Sequence, residues 1–266
     1  MNNPTTAPHP GARHSLPRPD PAAVATLPRL DNRLIAITGA ASGLGRAAAR
    51  ALAAAGATTI LVDRNLKGLE SLHDAIVDAG HPQPVLHAMH FEGATINDYI
   101  EFATAIDGEF HRLDGLLHCA ASLGELSPLT QYDADLWGRA LHVNLNAPFI
   151  LNQVLLPLLD RSDAGRVVFV TDALGAQPRA FWGAYAVSKA ALDAMLVMLS
   201  QELGDNARVR VLGLDPGVMD TPLRRRAFPA EAAGTHPPPE QVAPVLVSLF
   251  GPSGHALHGQ IACFDD

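Results

Sequence analysis

Short apolar runs rich in β-branched residues alternate along the chain with longer segments whose apolar residues recur at helical spacing. From Leu34 onward this alternation predicts seven strands and six main helices. The predicted strands have the sequences LIAIT, TTILV, PVLHAMH, GLLHC, RVVFV, RVRVLGL and QIACF. The predicted helices span residues 44–55, 66–79, 97–110, 133–159, 185–203 and 239–250. Such alternation predicts a Rossmann-type, doubly wound, seven-stranded parallel α/β sheet with helices on both faces.

The first thirty residues differ from the rest of the chain. They contain seven prolines and show little apolar periodicity, a composition typical of a flexible arm. A chain of 266 residues is long enough for one large α/β core. We therefore predict a flexible arm over residues 1–30 and a single Rossmann-type domain over residues 31–266.

Composition limits the partners that we expect. The 19 basic and 27 acidic residues give a net charge of −8, which argues against binding of nucleic acid or an anionic membrane. Only two cysteines occur, and no apolar run approaches the roughly 20 residues of a membrane helix, so the expected location is cytoplasmic. The twelve histidines are scattered without ligand spacing, so no metal site is predicted.

A glycine-rich turn, TGAASGLG at residues 38–45, follows the first predicted strand. Gly39, Gly43 and Gly45 let the backbone turn tightly and approach a pyrophosphate, whose charge then meets the amides of the next helix. Its place between a strand and a helix favours dinucleotide binding over a plain tight turn. No Lys-Ser/Thr follows the last glycine and no GxSxG occurs, which disfavours a nucleoside triphosphatase and a hydrolase.

The second predicted strand leads to Asp63, 24 residues after Gly39. A carboxylate there can accept hydrogen bonds from the adenosine ribose hydroxyls and would repel a 2′-phosphate, which favours NAD(H) over NADP(H). Arg64 follows directly, and its guanidinium could hold the same phosphate, so NADP(H) stays open.

Tyr185 and Lys189 in YAVSK begin another predicted helix. A spacing of four places them on one helical face and brings the phenol close to the ammonium. A nearby cation stabilises phenolate and lowers the tyrosine pKa, which makes Tyr185 a usable acid or base. The pair alone is common on protein surfaces, but behind the glycine-rich turn it is a strong signal.

Together these motifs resemble those of the short-chain dehydrogenase/reductase family, from about Leu30 to the C-terminus. The matching segments are TGAASGLG, Asp63, HVNLNAPF with Asn144, YAVSK and DPGVMDTP. Stretches such as WGAYAVSKAA are most similar to the bacterial YciK-type branch, whose substrate range is poorly defined. The resemblance implies an NAD(P)-dependent oxidoreductase that moves a hydride between nicotinamide and a carbonyl or alcohol carbon of a small molecule. It also implies a homodimer or homotetramer.

The resemblance further assigns roles to individual residues. Tyr185 would be the general acid/base, Lys189 would bind the nicotinamide ribose and tune Tyr185, and Asn144 would hold a water in the proton relay. The implied cofactor-binding residues are Gly39, Ser42, Gly43, Leu44, Gly45, Asp63, Arg64, His90, Phe91, Ala120, Tyr185, Lys189, Pro216, Gly217 and Thr221. Specificity is expected from residues 221–240, in the family's substrate-lid position.

One catalytic position departs from the family. Asp172, in VTDALG, lies thirteen residues before Tyr185, where the family usually has a serine that donates a hydrogen bond to the substrate oxygen. An ionised carboxylate cannot donate, and its charge raises the pKa of a neighbouring phenol. Three hypotheses follow: a buried, protonated Asp172 donates; Thr171 supplies the hydroxyl after a one-residue shift; or the protein binds NAD but has lost most redox activity.

Other departures fall outside the tyrosine-lysine pair. The family's NNAG is HCAA here, at residues 118–121, so the hydrogen bonds of its asparagine are missing or replaced. His90 occupies the place of an acid that often contacts adenine, and Asp215 replaces the asparagine before Pro-Gly. An active oxidoreductase is favoured because Asn144, Tyr185 and Lys189 persist together. The alternative is a catalytically impaired NAD-binding regulatory or interaction module.

Overall fold

The computed structural model describes residues 11–16 and 27–264, which form one parallel sheet flanked by helices. The strands of this sheet are β1 (Arg13–Leu16), β2 (Leu34–Thr38), β3 (Thr58–Asp63), β4 (Val85–Ala88), β5 (Gly115–His118), β6 (Arg166–Val170), β7 (Arg210–Leu214) and β8 (Ile261–Phe264). Their order is β1-β8-β7-β6-β5-β2-β3-β4. The chain changes direction across the sheet between β2 and β5, and ligands of such sheets bind at that switch point.

Helices cover both faces of the sheet. In the described residues they are α1 (Gly43–Ala54), α2 (Leu66–Asp78), α3 (Ile96–Phe110), α4 (Ala134–Leu141), α5 (Ala147–Leu159), α6 (Ala173–Ala176), α7 (Gly183–Leu203), α8 (Pro222–Ala227) and α9 (Ala243–Phe250). Alternate residues of β2 enter opposite cores, with Ile35 and Ile37 in one and Leu34 and Ala36 in the other. The predicted Rossmann-type architecture is therefore confirmed, and both sheet faces are buried as its continuous apolar strands require.

The sheet has eight strands rather than the predicted seven. The additional strand, β1, lies within the segment predicted to be a flexible arm, and it pairs in parallel with β8 from Arg13↔Ile261 to Leu16↔Phe264. Its sequence, RHSL, has no apolar alternation because the strand lies at the sheet edge and is largely exposed. The prediction of a flexible arm therefore does not hold for these four residues, while residues 1–10 and 17–26 lie outside the described part.

Two predicted helices are divided in the structure. The predicted helix over residues 133–159 contains a π-helical turn, His142–Asn146, between α4 and α5. The segment over residues 239–250 begins with a 3-10 turn, Pro239–Gln241, and continues as α9. Wider π-helical turns cannot be read from a 3.6-residue periodicity, and they are frequent at functional sites.

The helix that carries the tyrosine-lysine pair, α7, is the longest helix among the described residues, with 21 residues. By length and composition it passes the test for a membrane span, although the sequence predicted no such run. Half of the tested stretch is nevertheless buried inside the protein, where α7 packs against the sheet through residues such as Leu192 and Leu196. Its apolar composition thus has a structural explanation as a core helix.

Candidate active site

A cleft of about 550 Å³ opens at the carboxyl ends of the strands. It brings together nearly all of the predicted site residues from separate parts of the chain. Those that line it are Gly39, Ser42, Gly43, Leu44, Gly45, Asp63, Arg64, His90, Phe91, Ala120, Thr171, Asp172, Tyr185, Lys189, Pro216, Gly217 and Thr221. Asn144 is not among the lining residues. Ser122 and Leu123 also line the cleft, and no motif in the sequence had marked them.

The glycine-rich turn forms a tight cradle at the start of α1. Gly39 and Gly43 adopt φ angles of 69° and 52°, a left-handed region that strongly favours glycine. A Cβ on Gly39 would lie 2.8 Å from the Cα of Ala120, and a Cβ on Gly45 would collide with the carbonyl oxygen of Gly39. This close-packed backbone, facing the cleft at a helix N-terminus, fits the pyrophosphate of a dinucleotide.

Replacing Gly45 by alanine is expected to damage this cradle. The added methyl has no space, so the variant should lose about 1–3 kcal/mol of unfolding free energy and bind dinucleotide markedly more weakly. Gly108→Ala in α3 is the matched control, because a Cβ there meets nothing within 4 Å. Thermal melting and calorimetric titration would check both variants. Unchanged dinucleotide affinity in Gly45→Ala would contradict the assignment of the cradle.

Hydrogen bonds around HCAA replace those of the family's asparagine. The hydroxyl of Thr38 accepts the backbone amides of Cys119 and Ala120, each at 3.1 Å. The ring of His118 is buried, hydrogen-bonded to Asn152 at 3.1 Å, and burial lowers its pKa to about 4. His118 is therefore a neutral bridge to α5, and the loop after β5 keeps its support without the asparagine.

Charged residues at the carboxyl end of β3 line the part of the cleft predicted to hold adenosine. Asp63 accepts backbone amides through both carboxylate oxygens, from Ala41 at 3.1 Å and Asn65 at 2.9 Å. Arg64 is 61% exposed, and its guanidinium lies 3.4 Å from Glu92 and from the ring of His90. Asp63 therefore braces the glycine-rich turn, while Arg64 remains accessible to a ligand.

Tyr185 and Asp172, which both line the cleft, form a direct hydrogen bond. The Tyr185 hydroxyl donates to Asp172 Oδ2 at 2.9 Å, and Asp172 Oδ1 accepts the Leu174 amide as the cap of α6. Tyr185 is only 5% exposed. Burial raises its pKa well above the usual value, and the charges of Asp172 and Asp215 raise it further. The carboxylate therefore acts on this phenol in the direction inferred from the sequence.

Lys189 lies beneath the tyrosine ring, one helical turn farther along α7. Its Nζ is 5.6 Å from the centre of the Tyr185 ring and donates to the Val170 carbonyl at 2.7 Å. Burial lowers the pKa of Lys189, while nearby carboxylates, Asp172 foremost, oppose that change. The predicted pairing of phenol and ammonium on one helix face is thus present in the structure. The predicted lowering of the Tyr185 pKa is wrong, because burial and the neighbouring carboxylates raise that pKa instead.

Asn144 occupies the π-helical turn and connects two elements of the site. Its amide exchanges hydrogen bonds with the Ser122 backbone at 2.7 and 2.9 Å and donates to Ser188 Oγ at 2.9 Å. Ser188 lies on α7 between Tyr185 and Lys189. Asn144 therefore holds the Ser122 loop against the catalytic helix, and its predicted role in a water relay stays a prediction.

Thr171 does not present its hydroxyl to the cleft. The residue is 2% exposed, and its Oγ1 is buried without a hydrogen-bond partner. Its methyl group lies against the backbone of Gly213 in β7. The structure therefore places the carboxylate of Asp172, and not the hydroxyl of Thr171, beside Tyr185.

One wall of the cleft, beside Tyr185, is mainly apolar. The ring of Trp182 lies 5.8 Å from those of Tyr185 and Phe228, and Leu123 and Leu223 complete this wall. Phe181 is 59% exposed and does not line the cleft.

The basic run in the predicted lid is largely neutralised. Arg224 pairs with Glu231, Arg225 pairs with Asp220, and Arg226 donates to the Gly124 carbonyl at 2.9 Å.

Among residues 11–16 and 27–264, no three His, Cys, Asp or Glu side chains are grouped to hold a metal ion.

These features define a nucleotide-binding α/β protein with a tyrosine-lysine pair at its switch-point cleft. The family model for short chain dehydrogenases matches residues 33–232, so the chain belongs to that family. The uncharacterized oxidoreductase YciK of Escherichia coli strain K12 is 38% identical over 222 residues, 84% of this chain and 87% of that protein. The resemblance to the YciK-type branch is thereby confirmed, and so is the class of oxidoreductase.

Solved structures also support membership of the short chain dehydrogenase family. One from Pseudomonas syringae, described as a short chain dehydrogenase, has a TM-score of 0.86 at 39% identity and covers 95% of this chain and 99% of its own. Another, from Shigella flexneri 2a strain 301 in complex with NADP, has a TM-score of 0.85 at 36% identity. It covers 88% of this chain and 97% of its own. The family and the NADP complex from Shigella flexneri support a nicotinamide cofactor.

Proposed function

We propose that this oxidoreductase reduces the carbonyl group of a largely apolar small molecule, with NADP(H) as cofactor and Tyr185 as the proton donor. The observation that carries the proposal is the convergence of the glycine cradle, Lys189 and the Tyr185 hydroxyl in one cleft. The bound nicotinamide supplies the hydride in this chemistry. NADPH-dependent reduction of apolar ketones and aldehydes by the wild-type protein, and its loss in Tyr185→Phe, tests the proposal.

The residues of this chain divide the remaining work. The glycine cradle binds pyrophosphate. Lys189 binds the nicotinamide ribose, and its positive charge stabilises the phenolate that forms at Tyr185. Tyr185 delivers the proton from its hydroxyl to the substrate oxygen as that oxygen gains electrons. The wall of Trp182 and Phe228 excludes water and orients an apolar substrate, which is the part of the reaction that positioning accelerates.

Asp172 makes the proton transfer at Tyr185 more costly. Burial and the charge of Asp172 raise the pKa of Tyr185, so the phenol is available as an acid through neutral pH but is a poor base. The same charge disfavours the phenolate that remains after proton transfer, so Asp172 also limits the rate of reduction.

The choice between the two dinucleotides rests on Asp63 and Arg64. The sequence favoured NAD(H) because of Asp63, whereas a structural neighbour is complexed with NADP. Both oxygens of Asp63 already accept backbone amides, and the accessible Arg64 guanidinium suits a 2′-phosphate. These contacts support NADP(H) as the cofactor of this chain.

Arg64→Ala is expected to weaken NADPH binding by about tenfold or more while changing NADH binding little, because a charge-assisted phosphate contact is lost. Asp63→Asn should strengthen NADPH binding, since it removes a charge and retains an acceptor oxygen. Calorimetric titration with both dinucleotides provides the measurement, and Arg50→Ala on the exposed side of α1 controls for the change in net charge. An equal loss of NADH and NADPH affinity in Arg64→Ala would show that Arg64 does not contact the 2′-phosphate of NADPH.

A homo-oligomer remains part of the proposal. Large apolar side chains are exposed on α5 and α7, with Phe149 at 55%, Val187 at 45% and Met198 at 58%. Exposed apolar surface on neighbouring helices is typical of a subunit interface.

The expected cytoplasmic location remains a prediction as well.

A further inference from the structure

One side chain of the N-terminal strand β1, that of Arg13, extends toward the active site. Arg13, the first residue of β1, contacts Asp215 Oδ2 at 2.6 Å and Asp193 Oδ2 at 3.7 Å. The side chains of Arg13, Asp193 and Asp215 are 29%, 18% and 9% exposed, so the three charges are largely shielded from solvent. No motif in the first thirty residues indicated such a contact.

Asp215 connects Arg13 to the turn that borders the cleft. Its second oxygen, Oδ1, accepts the Gly217 amide at 3.1 Å, and its own amide donates to Ala262 of β8. Gly217 has a φ angle of 66°, so the turn is tightly specified. Arg13 therefore holds the carboxylate that shapes the Pro216-Gly217 turn, and both residues of that turn line the cleft.

Asp193 connects Arg13 to the catalytic helix. It lies four residues after Lys189 on α7, and its Oδ1 is buried without a hydrogen-bond partner. Burial raises the pKa of Asp193 to about 6, while Arg13 and Lys189 oppose that rise. Three carboxylates, Asp172, Asp193 and Asp215, act electrostatically on Lys189, and Arg13 neutralises the two of them that it contacts.

We propose that Arg13 is a positioning residue of the active site, through which the N-terminal strand fixes the Pro216-Gly217 turn and balances the carboxylates around Lys189. The inference rests on the proposed function, and it assigns to β1 a role beyond extending the sheet. The position of β1 itself is fixed independently of this side chain, because the Gly11 amide donates to Gly259 and the Ala12 carbonyl accepts the Ile261 amide. Removing the Arg13 charge should therefore leave the strand in place.

Loss of the guanidinium has two expected consequences. The site becomes more negative, which opposes binding of an anionic dinucleotide and destabilises the Tyr185 phenolate. The charged groups that act on Tyr185 are Asp172 at the start of α6 and Asp215 after β7, with Lys189 over its ring. Around Lys189 the additional groups are Asp193 on α7 and Cys119 after β5. Asp172 and Asp215 act in the same direction on the phenol, so the effect of Asp215 adds to that of Asp172 once Arg13 is absent.

The test compares Arg13→Met with Arg13→Lys and with the double variant Arg13→Met/Asp193→Asn. We expect Arg13→Met to bind NADPH about threefold to tenfold more weakly by calorimetry. In the alcohol oxidation direction, the acidic limb of its kcat/KM profile should move to higher pH by about half a unit to one unit. Arg13→Lys should recover part of both effects. The double variant should recover the pH profile only in part, because it removes Asp193 but leaves the charge of Asp215 uncompensated.

His14→Ala is the matched control, since His14 faces the opposite side of the same strand. A purely structural role would lower the melting temperature of Arg13→Met without changing NADPH affinity or the pH profile, and that result would overturn the proposal. A wild-type protein that binds NADPH but turns over no carbonyl or alcohol would refute the proposed function instead. In that case, unchanged NADPH affinity in Arg13→Met would overturn the inference, and weakened affinity restored by Arg13→Lys would support it.

Discussion

Tyr185→Phe is expected to abolish NADPH-dependent carbonyl reduction while leaving the fold and dinucleotide affinity intact. The change removes the hydroxyl that is proposed to give its proton to the substrate oxygen, and such a proton transfer contributes about 10²- to 10⁴-fold in rate. The buried ring remains and keeps its packing against Trp182. The loss should therefore appear in kcat with little change in the binding of NADPH. Steady-state kinetics and calorimetric titration would measure the two quantities separately.

Tyr99→Phe is the matched control for this experiment. Tyr99 is fully buried in the core, its hydroxyl has no hydrogen-bond partner, and it lies outside the cleft residues. Loss of the Tyr99 hydroxyl in Tyr99→Phe should leave turnover unchanged. Equal turnover by Tyr185→Phe and wild type would mean that another group supplies the proton. NADPH binding without turnover in the wild type would instead favour the alternative of a binding or regulatory module.

Asp172→Ser is expected to increase carbonyl reduction near neutral pH by about tenfold to a hundredfold. The serine restores a hydrogen-bond donor for the developing oxyanion, and one such donor is worth about 10²- to 10³-fold in other enzymes. It also removes the nearest carboxylate from Tyr185, which lowers the free energy of the phenolate. Asp172→Asn and Asp172→Ala separate these effects, since both remove the charge but only asparagine can donate.

The pH dependence of the reverse reaction gives an independent measurement. In alcohol oxidation Tyr185 must first lose its proton, so kcat/KM rises with pH until the pKa of Tyr185 is passed. That pKa is raised in the wild type by burial and by Asp172. Removal of the carboxylate should therefore move the rising limb to lower pH in Asp172→Ser.

Asp133→Ser controls for the loss of a helix cap. Asp133 caps α4 by accepting the Leu136 amide at 2.8 Å, as Asp172 caps α6, and it lies outside the cleft. Serine replaces aspartate at such positions with little cost. If Asp172→Ser were slower than the wild type while Asp133→Ser were unchanged, Asp172 itself would take part in proton transfer. That outcome would support the hypothesis of a protonated, donating Asp172.

The local chemistry of the site was readable from the sequence because it depends on short spacings. Gly39, Gly43 and Gly45 are close in the chain, and the backbone cradle needs only a strand before them and a helix after them. Tyr185 and Lys189 share a helix, so a spacing of four residues was enough to bring phenol and ammonium together. The alternation of strands and helices likewise predicted the Rossmann-type sheet, since both faces of a parallel sheet must be covered.

Other features were decided only by contacts between distant segments. The sequence could not choose between Thr171 and Asp172, because the choice depends on how Thr171 packs against β7. It also could not show that the amides of Ala41 and Asn65 occupy the oxygens of Asp63, and so its preference for NAD(H) rested on the residue type alone.

The sequence by itself determined the fold class, the glycine cradle and the tyrosine-lysine pair, because each follows from periodicity or from neighbours within one turn. The tertiary structure alone decided that Arg13–Leu16 join the sheet and that Arg13 reaches Asp215, 202 residues away in the chain. Edge strands have little apolar pattern, and ion pairs between distant segments leave no periodic signal. The electrostatic balance around Tyr185 therefore becomes visible only when β1, α7 and the turn after β7 are placed together.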